Sequence, residues 1–143
     1  MKSSGPILYR KLKSGGYQLL EDAWIETKIT GCAAKVDGYI DLESDGKITV
    51  RKGYQWDGAS GIAIDRRNNM KASLFHDAFY QLHRAGKLDP DMRIAADAVY
   101  RDLYLSTGGG KVIGWLDYVA LRLFAGYAAR RKREVEDKVF TAP

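Results

Sequence analysis

The 143-residue sequence predicts an α+β fold with a small N-terminal antiparallel sheet, a glycine-rich loop and a C-terminal half of three helices. Short runs of branched and aromatic residues, separated by glycines or charged pairs, fill residues 1–52. Three glycines then fall within residues 53–61. Beyond this loop the apolar residues recur at steps of three and four, which is the period of an amphipathic helix.

The composition is that of one ordinary globular domain spanning residues 1–143. Its 45% hydrophobic and 29% charged residues exclude a disordered or collagen-like chain. A single cysteine, Cys32, excludes an internal disulfide framework and fits a reducing compartment. The 23 lysines and arginines outnumber the 18 acidic residues, and the net charge of +5 gives a mild preference for anionic partners.

Residues 1–52 are expected to be mainly strands. The β-favouring runs are residues 7–9, 17–20, 23–29, 38–42 and 47–51. The tripeptide Ser44-Asp45-Gly46 separates the last two runs and predicts a tight hairpin, because aspartate and glycine tolerate the positive φ of such turns.

Residues 53–66 are expected to form a loop, residues 67–106 a helical hairpin and residues 111–139 a C-terminal helix. The first helix is predicted to start at a cap from Asn68 or Asn69 and to end at Gly86. The second is predicted to start at a cap from Asp89, with Pro90 in the first helical position, and to reach about Ser106.

The first helix includes a histidine with two polar neighbours. His76 and Tyr80 lie four residues apart and share a face, whereas Asp77 is rotated by about 100° from His76. An imidazole in this position can move a proton while the adjacent carboxylate holds a cation. The alternative is a solvated surface pair without a chemical task.

The second helix includes Asp97 among small and apolar residues, where a carboxylate needs a partner. In an antiparallel hairpin Asp97 could accept the Nδ1 proton of His76 and leave Nε2 as a base. The alternative is an ion pair with Arg93 or Arg101, each four residues away on the same helix.

The glycine-rich loop suggests a cation site. Calcium prefers six to eight oxygen ligands, and Asp57, Ser60 and Asp77 offer side-chain oxygens. Glycines in the loop allow backbone oxygens to turn toward an ion. The alternative is an ordinary connection between a sheet and a helix.

The segment 53–60, the hexapeptide 75–80 around His76, the Ala96-Asp97 pair and an aromatic and basic helix downstream resemble the phage and bacterial family called "domain of unknown function 1353". That resemblance implies a phage or prophage origin. It implies no activity, because the family name supplies none.

The order of a glycine loop, His-Asp-x-x-Tyr on one helix and an aspartate on the next is also similar to phospholipase A2, most of all the disulfide-free type in parvovirus capsids. This resemblance implies calcium-dependent ester hydrolysis. Two departures are a loop without the Gly-x-Gly pattern and the additional carboxylate of Asp57. The implied roles are His76 as base, Asp97 as its partner, Tyr80 as a supporting hydrogen-bond donor, and Asp77 with backbone oxygens around Trp56, Gly58 and Ser60 as calcium ligands.

The predicted third helix is aromatic at first and then basic. Its cations Arg130, Arg131, Lys132 and Arg133 could contact an anionic membrane surface, and nucleic acid is a less favoured partner. The alternative is a core helix with a solvated, charged end. A different class of function is also open, namely a non-catalytic phage virion or host-interaction protein with a structural His/Asp cluster.

The sequence contains no evident export signal or membrane span. The first 16 residues contain cations without an apolar core, and Asp117 and Arg122 interrupt the most apolar window, residues 112–129. With a phage origin, these features predict a location in the host cytoplasm or in the virion.

Overall fold

The computed structural model describes residues 1–13, 15–58, 67–123 and 139–143. Strands form in the N-terminal half and helices in the C-terminal half, so the predicted α+β class is confirmed. The strands are β1 Ile7–Lys11, β2 Tyr17–Leu19, β3 Ala23–Glu26, β4 Ala34–Val36, β5 Ile40–Leu42, β6 Lys47–Val50, β7 Gln55–Trp56 and β8 Val139–Ala142, and the helices are α1 Met70–Arg84, α2 Met92–Ser106 and α3 Lys111–Leu123.

The strands form two four-stranded antiparallel sheets rather than one. The first sheet has the order β7-β2-β1-β8 and the second the order β3-β6-β5-β4. The predicted turn at 44–46 joins β5 and β6, which are paired neighbours in the second sheet. Buried residues alternate with more exposed ones in most strands, as expected of sheets with one face on a core.

The helix predicted over residues 111–139 is described in part, because residues 124–138 lie outside the described residues. The helix is described from Lys111 to Leu123, and Val139–Ala142 form strand β8. This strand pairs antiparallel with β1, where Ile7 lies opposite Ala142. The predicted anionic-surface residues Arg130, Arg131, Lys132 and Arg133 lie outside the described residues.

Helix α1 is the central element of the core. Twelve of its fifteen residues are buried, more than one amphipathic face would bury. It contacts β4 and β6 of the second sheet on one side and α2 on another. The backbone of α1 leaves helical geometry at Gly86 (φ +71), the predicted end. Asn69 makes no side-chain capping hydrogen bond.

Helix α2 begins two residues later than the capping pattern predicts. Asp89 and Pro90 precede it, and the Asp89 carboxylate accepts a hydrogen bond from the Asp91 amide at 3.0 Å within that turn. Across the described ranges, no helix combines the length and apolar character that a bilayer span requires.

Lys71 attaches the N-terminal segment to α1. Lys71 is buried, and its Nζ donates to the Ser3 hydroxyl at 2.8 Å and to the Gly5 carbonyl oxygen at 2.7 Å. Burial lowers the pKa of the Lys71 ammonium below its usual value. The two oxygens therefore compensate part of the cost of placing a lysine in the core.

The turn between β5 and β6 needs glycine at position 46. Gly46 has φ +96, and a Cβ there would clash with the carbonyl oxygen of Thr27. Gly38, in the turn before β5, has φ +69 and open space around it. A side chain at position 38 would therefore add backbone strain alone, whereas one at position 46 would add both strain and a steric clash.

We expect Gly46→Ala to destabilise the protein by at least ~2 kcal/mol more than Gly38→Ala, because only the first adds a backbone clash to the strain. Urea unfolding of both variants measures the difference. Equal losses of unfolding free energy would contradict this account of the turn.

Candidate functional site

The first two helices are antiparallel neighbours, as the predicted site requires. The Thr107 hydroxyl, just after α2, donates to the carbonyl oxygen of Asn68, just before α1, at 2.6 Å. The end of α2 therefore lies beside the start of α1. This arrangement places the first half of α2, with Asp97, opposite the central part of α1, with His76 and Tyr80.

Asp97 is the centre of a buried hydrogen-bond network. Its Oδ1 atom lies 2.7 Å from His76 Nε2 and accepts the Tyr80 hydroxyl proton, also at 2.7 Å. Its Oδ2 atom accepts a hydrogen bond from the Arg122 guanidinium at 2.9 Å. The Asp97 residue is 0% exposed, so these three groups replace the water that a carboxylate would otherwise bind.

The network keeps Asp97 ionised. Burial by itself raises the pKa of the Asp97 carboxyl, but hydrogen bonds from His76, Tyr80 and Arg122 together lower it below its usual value. Burial and the hydrogen bond to the Asp97 carboxylate raise the pKa of Tyr80, which stays a donor. The hydrogen bond to Asp97 likewise raises the pKa of Arg122.

The histidine nitrogen that faces Asp97 is Nε2, whereas the sequence analysis expected Nδ1. An ionised carboxylate only accepts hydrogen bonds, so in the neutral imidazole Nε2 is the protonated nitrogen and Nδ1 has the lone pair. The His76 side chain is 9% exposed. In the described part of the chain, the His76 ring has no hydrogen bond other than the one to Asp97. The available base is therefore Nδ1.

The alternative partners of Asp97 do not pair with it. Arg101 forms its ion pair with Asp102 at 3.7 Å, and its guanidinium lies 4.8 Å from the centre of the Tyr118 ring. Within the described residues, the ion pairs of Asp97 are with His76 and Arg122. Arg93 is in neither of them.

Arg122 is the site residue that sequence reasoning missed. It lies on α3, 25 residues beyond Asp97, so no helical spacing connects the two. The only signal was a lone cation in the apolar stretch of residues 112–129. A charge in such a stretch indicates a buried partner, but not which one.

Asp77 lies on a different side of α1 and faces the β7 region. Its Oδ2 atom lies 3.2 Å from the Tyr54 hydroxyl, which is also 3.1 Å from Gln81 Oε1. Asp77 is itself buried. The structure therefore separates the two predicted tasks, with His76 toward α2 and Asp77 toward the sheet.

The described part of the predicted calcium loop is built around a core tryptophan. Trp56 is fully buried, and its indole Nε1 donates to the Ser73 hydroxyl at 3.0 Å. The Tyr54 side chain contacts Asp77, and the Trp56 side chain contacts Ser73, which is one helical turn before Asp77. The chain from Tyr54 to Trp56 therefore runs antiparallel to α1. Asp57 therefore follows on the Ser73 side, away from Asp77.

Asp57 and Gly58 follow β7 and lie beside the β1–β2 turn. A Cβ built on Gly16 would meet the Trp56 carbonyl oxygen at 2.9 Å and Asp57 Oδ1 at 3.1 Å, so this edge is tightly packed. Ser60 lies outside the described residues. Across the described ranges, no group of three His, Cys, Asp or Glu side chains could hold a metal ion.

Comparisons with protein-family models, with curated proteins and with solved structures found no match to this chain.

The free energy of unfolding should depend on pH in the acid range because of the Asp97 network. The folded carboxyl has a lowered pKa, so the unfolded chain binds the proton more tightly and unfolding becomes easier as the pH falls below the usual value of 3.8. We expect Asp97→Asn to cost about 3 kcal/mol at neutral pH and to flatten this acid dependence.

Urea unfolding between neutral pH and pH ~3 measures both effects. Asp102→Asn is the matched control, because Asp102 is an exposed aspartate on the same helix. An acid dependence in Asp97→Asn equal to that of the original chain would contradict the assignment.

Proposed function

We propose that this protein is a hydrolase in which His76 is the general base and Asp97 orients it, with phospholipid esters as the substrate class. The observation that supports the proposal is the 2.7 Å contact between His76 Nε2 and the buried, ionised Asp97 carboxylate. That contact sets the tautomer and leaves Nδ1 to accept a proton. The sequence resemblance to phospholipase A2 suggests the substrate.

In the proposed reaction, Nδ1 of His76 removes a proton from a water molecule whose oxygen attacks the ester carbonyl carbon. The imidazolium that forms is stabilised by the Asp97 carboxylate through Nε2. When the tetrahedral intermediate collapses, the proton passes from Nδ1 to the leaving alcohol oxygen. Tyr80 and Arg122 keep the Asp97 carboxylate in position throughout.

Calcium is the proposed cofactor, with Asp77 as its carboxylate ligand and Ser60 as a candidate for a second. Asp57 and the backbone oxygens of Trp56 and Gly58 follow on the Ser73 side, away from Asp77, and are not proposed as ligands of the same ion. The donor chemistry fits, since the Asp77 carboxylate and the Ser60 hydroxyl offer hard oxygens. When bound, the ion would polarise the ester carbonyl and stabilise its developing negative charge.

A phospholipid surface is the proposed partner. The first two turns of α3 expose apolar side chains, with Val112 at 71%, Trp115 at 59% and Leu116 at 50% exposure. An exposed apolar helix face of this kind suits the boundary between lipid head groups and acyl chains. The same helix provides Arg122, so the surface and the network share one element.

A second candidate is a non-catalytic phage virion or host-interaction protein in which this network is structural. The observation that favours it is that α1 and α3 both donate to the one carboxylate of α2, which ties three helices together. In that case the network contributes stability and no turnover.

Replacing His76 separates the two candidates. We expect His76→Ala to lower calcium-dependent release of fatty acid from phosphatidylcholine–phosphatidylglycerol vesicles by about a hundredfold or more, since the general base is lost. His83→Ala is the matched control, because His83 is the other histidine and lies on the same helix. Fatty-acid release is measured by titration of the released acid.

Hydrolysis that survives in His76→Ala would overturn the assignment of the base. A folded original chain that releases no fatty acid would favour the structural candidate. In that case His76→Ala should lower only the free energy of unfolding.

The calcium proposal has its own measurement. We expect Asp77→Asn to weaken calcium binding about tenfold or more in isothermal titration, because a carboxylate ligand becomes a neutral amide. Asp102→Asn provides an exposed control and should leave the affinity unchanged. If Asp77→Asn binds calcium as the original chain does, Asp77 is not a ligand.

A further inference from the structure

A polar cavity lies where the two sheets meet α1. Its volume is ≈ 480 Å³, within the ~300–1,000 Å³ range of small-molecule sites. Residues from β2, β7, the β4–β5 turn, the β6–β7 turn and α1 contribute to it. The lining residues are Gln18, Asp37, Tyr39, Gly53, Tyr54, Gln55 and Gln81.

The lining has an unusual composition, because the chain contains only three glutamines and all of them line this cavity. Gln18 and Gln55 lie directly opposite each other across the β2–β7 pair, and Gln81 comes from the last part of α1. Each carboxamide offers both donors and an acceptor and has no charge. Three elements far apart in sequence thus bring the same neutral chemistry to one place.

The charges of the lining limit the class of ligand. Among the described residues that line the cavity there is no lysine or arginine, and the one charged side chain among them is the carboxylate of Asp37. Phosphates and other anions would therefore be repelled. An acyl chain bound in the cavity would displace the water that hydrogen-bonds to the carboxamides and tyrosine hydroxyls. An apolar ligand is therefore also disfavoured.

Tyr39 adds an aromatic surface at the mouth of the cavity. Its residue is 41% exposed, and its ring lies against Gly53, where an added Cβ would come within 3.2 Å of a ring carbon. The glycine therefore leaves room for the edge of the ring beside the backbone. An exposed ring beside neutral donors and acceptors is suited to the C–H face and the hydroxyls of a sugar.

The inner wall of the cavity is already held by hydrogen bonds. The Tyr54 hydroxyl lies 3.1 Å from Gln81 Oε1 and 3.2 Å from Asp77 Oδ2. This arrangement fixes the Gln81 carboxamide, so ligand binding would cost little additional side-chain entropy at this residue. The site is therefore largely formed before a ligand arrives.

We propose that this cavity binds a neutral saccharide, with the three glutamines as hydrogen-bonding groups and Tyr39 as the stacking surface. Asp37, which the β4–β5 turn holds at φ +53, accepts hydrogen bonds from sugar hydroxyls. The proposal is independent of the hydrolase chemistry of His76, which lies toward α2.

The test is an NMR titration of the ¹⁵N-labelled full chain with glucose, N-acetylglucosamine, cellobiose and N,N′-diacetylchitobiose. We expect saturable shifts in the amides of Gly53–Gln55 and in the side-chain amides of the three glutamines for at least one sugar, with a dissociation constant in the millimolar range. Glucuronate and inorganic phosphate should bind more weakly, because Asp37 repels anions.

Two variants locate the site. Tyr39→Ala removes the stacking surface and Gln81→Leu removes a carboxamide, and each should weaken binding about fivefold or more. Tyr118→Ala is the control, because Tyr118 is a tyrosine of α3 outside the lining. Amide spectra verify that each variant is folded. If one variant unfolds, the binding affinity of the other tests the site.

Any of the following results would overturn the proposal. One is no saturable shift with any of the four sugars at tens of millimolar. Another is saturable shifts outside the lining only, or binding that both variants leave unchanged. The third is uridine or adenosine binding at the cavity in place of the sugars, which would make the ligand a nucleoside.

Discussion

A carboxylate without access to water is the constraint on which the helical half of this protein depends. Asp97 is fully buried, and a charge in that position costs several kcal/mol unless donors surround it. Its own helix supplies none of the three donors; α1 supplies His76 and Tyr80, and α3 supplies Arg122. The three helices are therefore held together by the requirement to compensate one negative charge.

Helix α1 connects this network to the sheets. His76 and Asp77 are adjacent in sequence but are rotated by about 100° around the helix, so they face different sides of it. His76 faces α2, and Asp77 faces Tyr54 beside the polar cavity. A helix buried on nearly all sides can thus contribute side chains to two clusters.

The sequence allowed part of the site to be predicted. His76, Tyr80 and Asp97 follow from helical spacing and from the rule that a carboxylate among apolar residues needs a partner. Arg122 could not be found in this way, because its contact with Asp97 depends on how α3 packs. Strand β8 was not predicted for the same reason, because it forms by pairing with β1, which is far away in sequence.

Local patterns thus determined the α+β class, the positions of α1 and α2, and the hairpin at 44–46, because these depend on neighbours within a few residues. Tertiary structure alone decided that the strands divide into two sheets and that Nε2 rather than Nδ1 faces Asp97. It also gathered three glutamines from distant elements around one cavity. Such outcomes depend on the relative placement of whole elements, which periodicity does not encode.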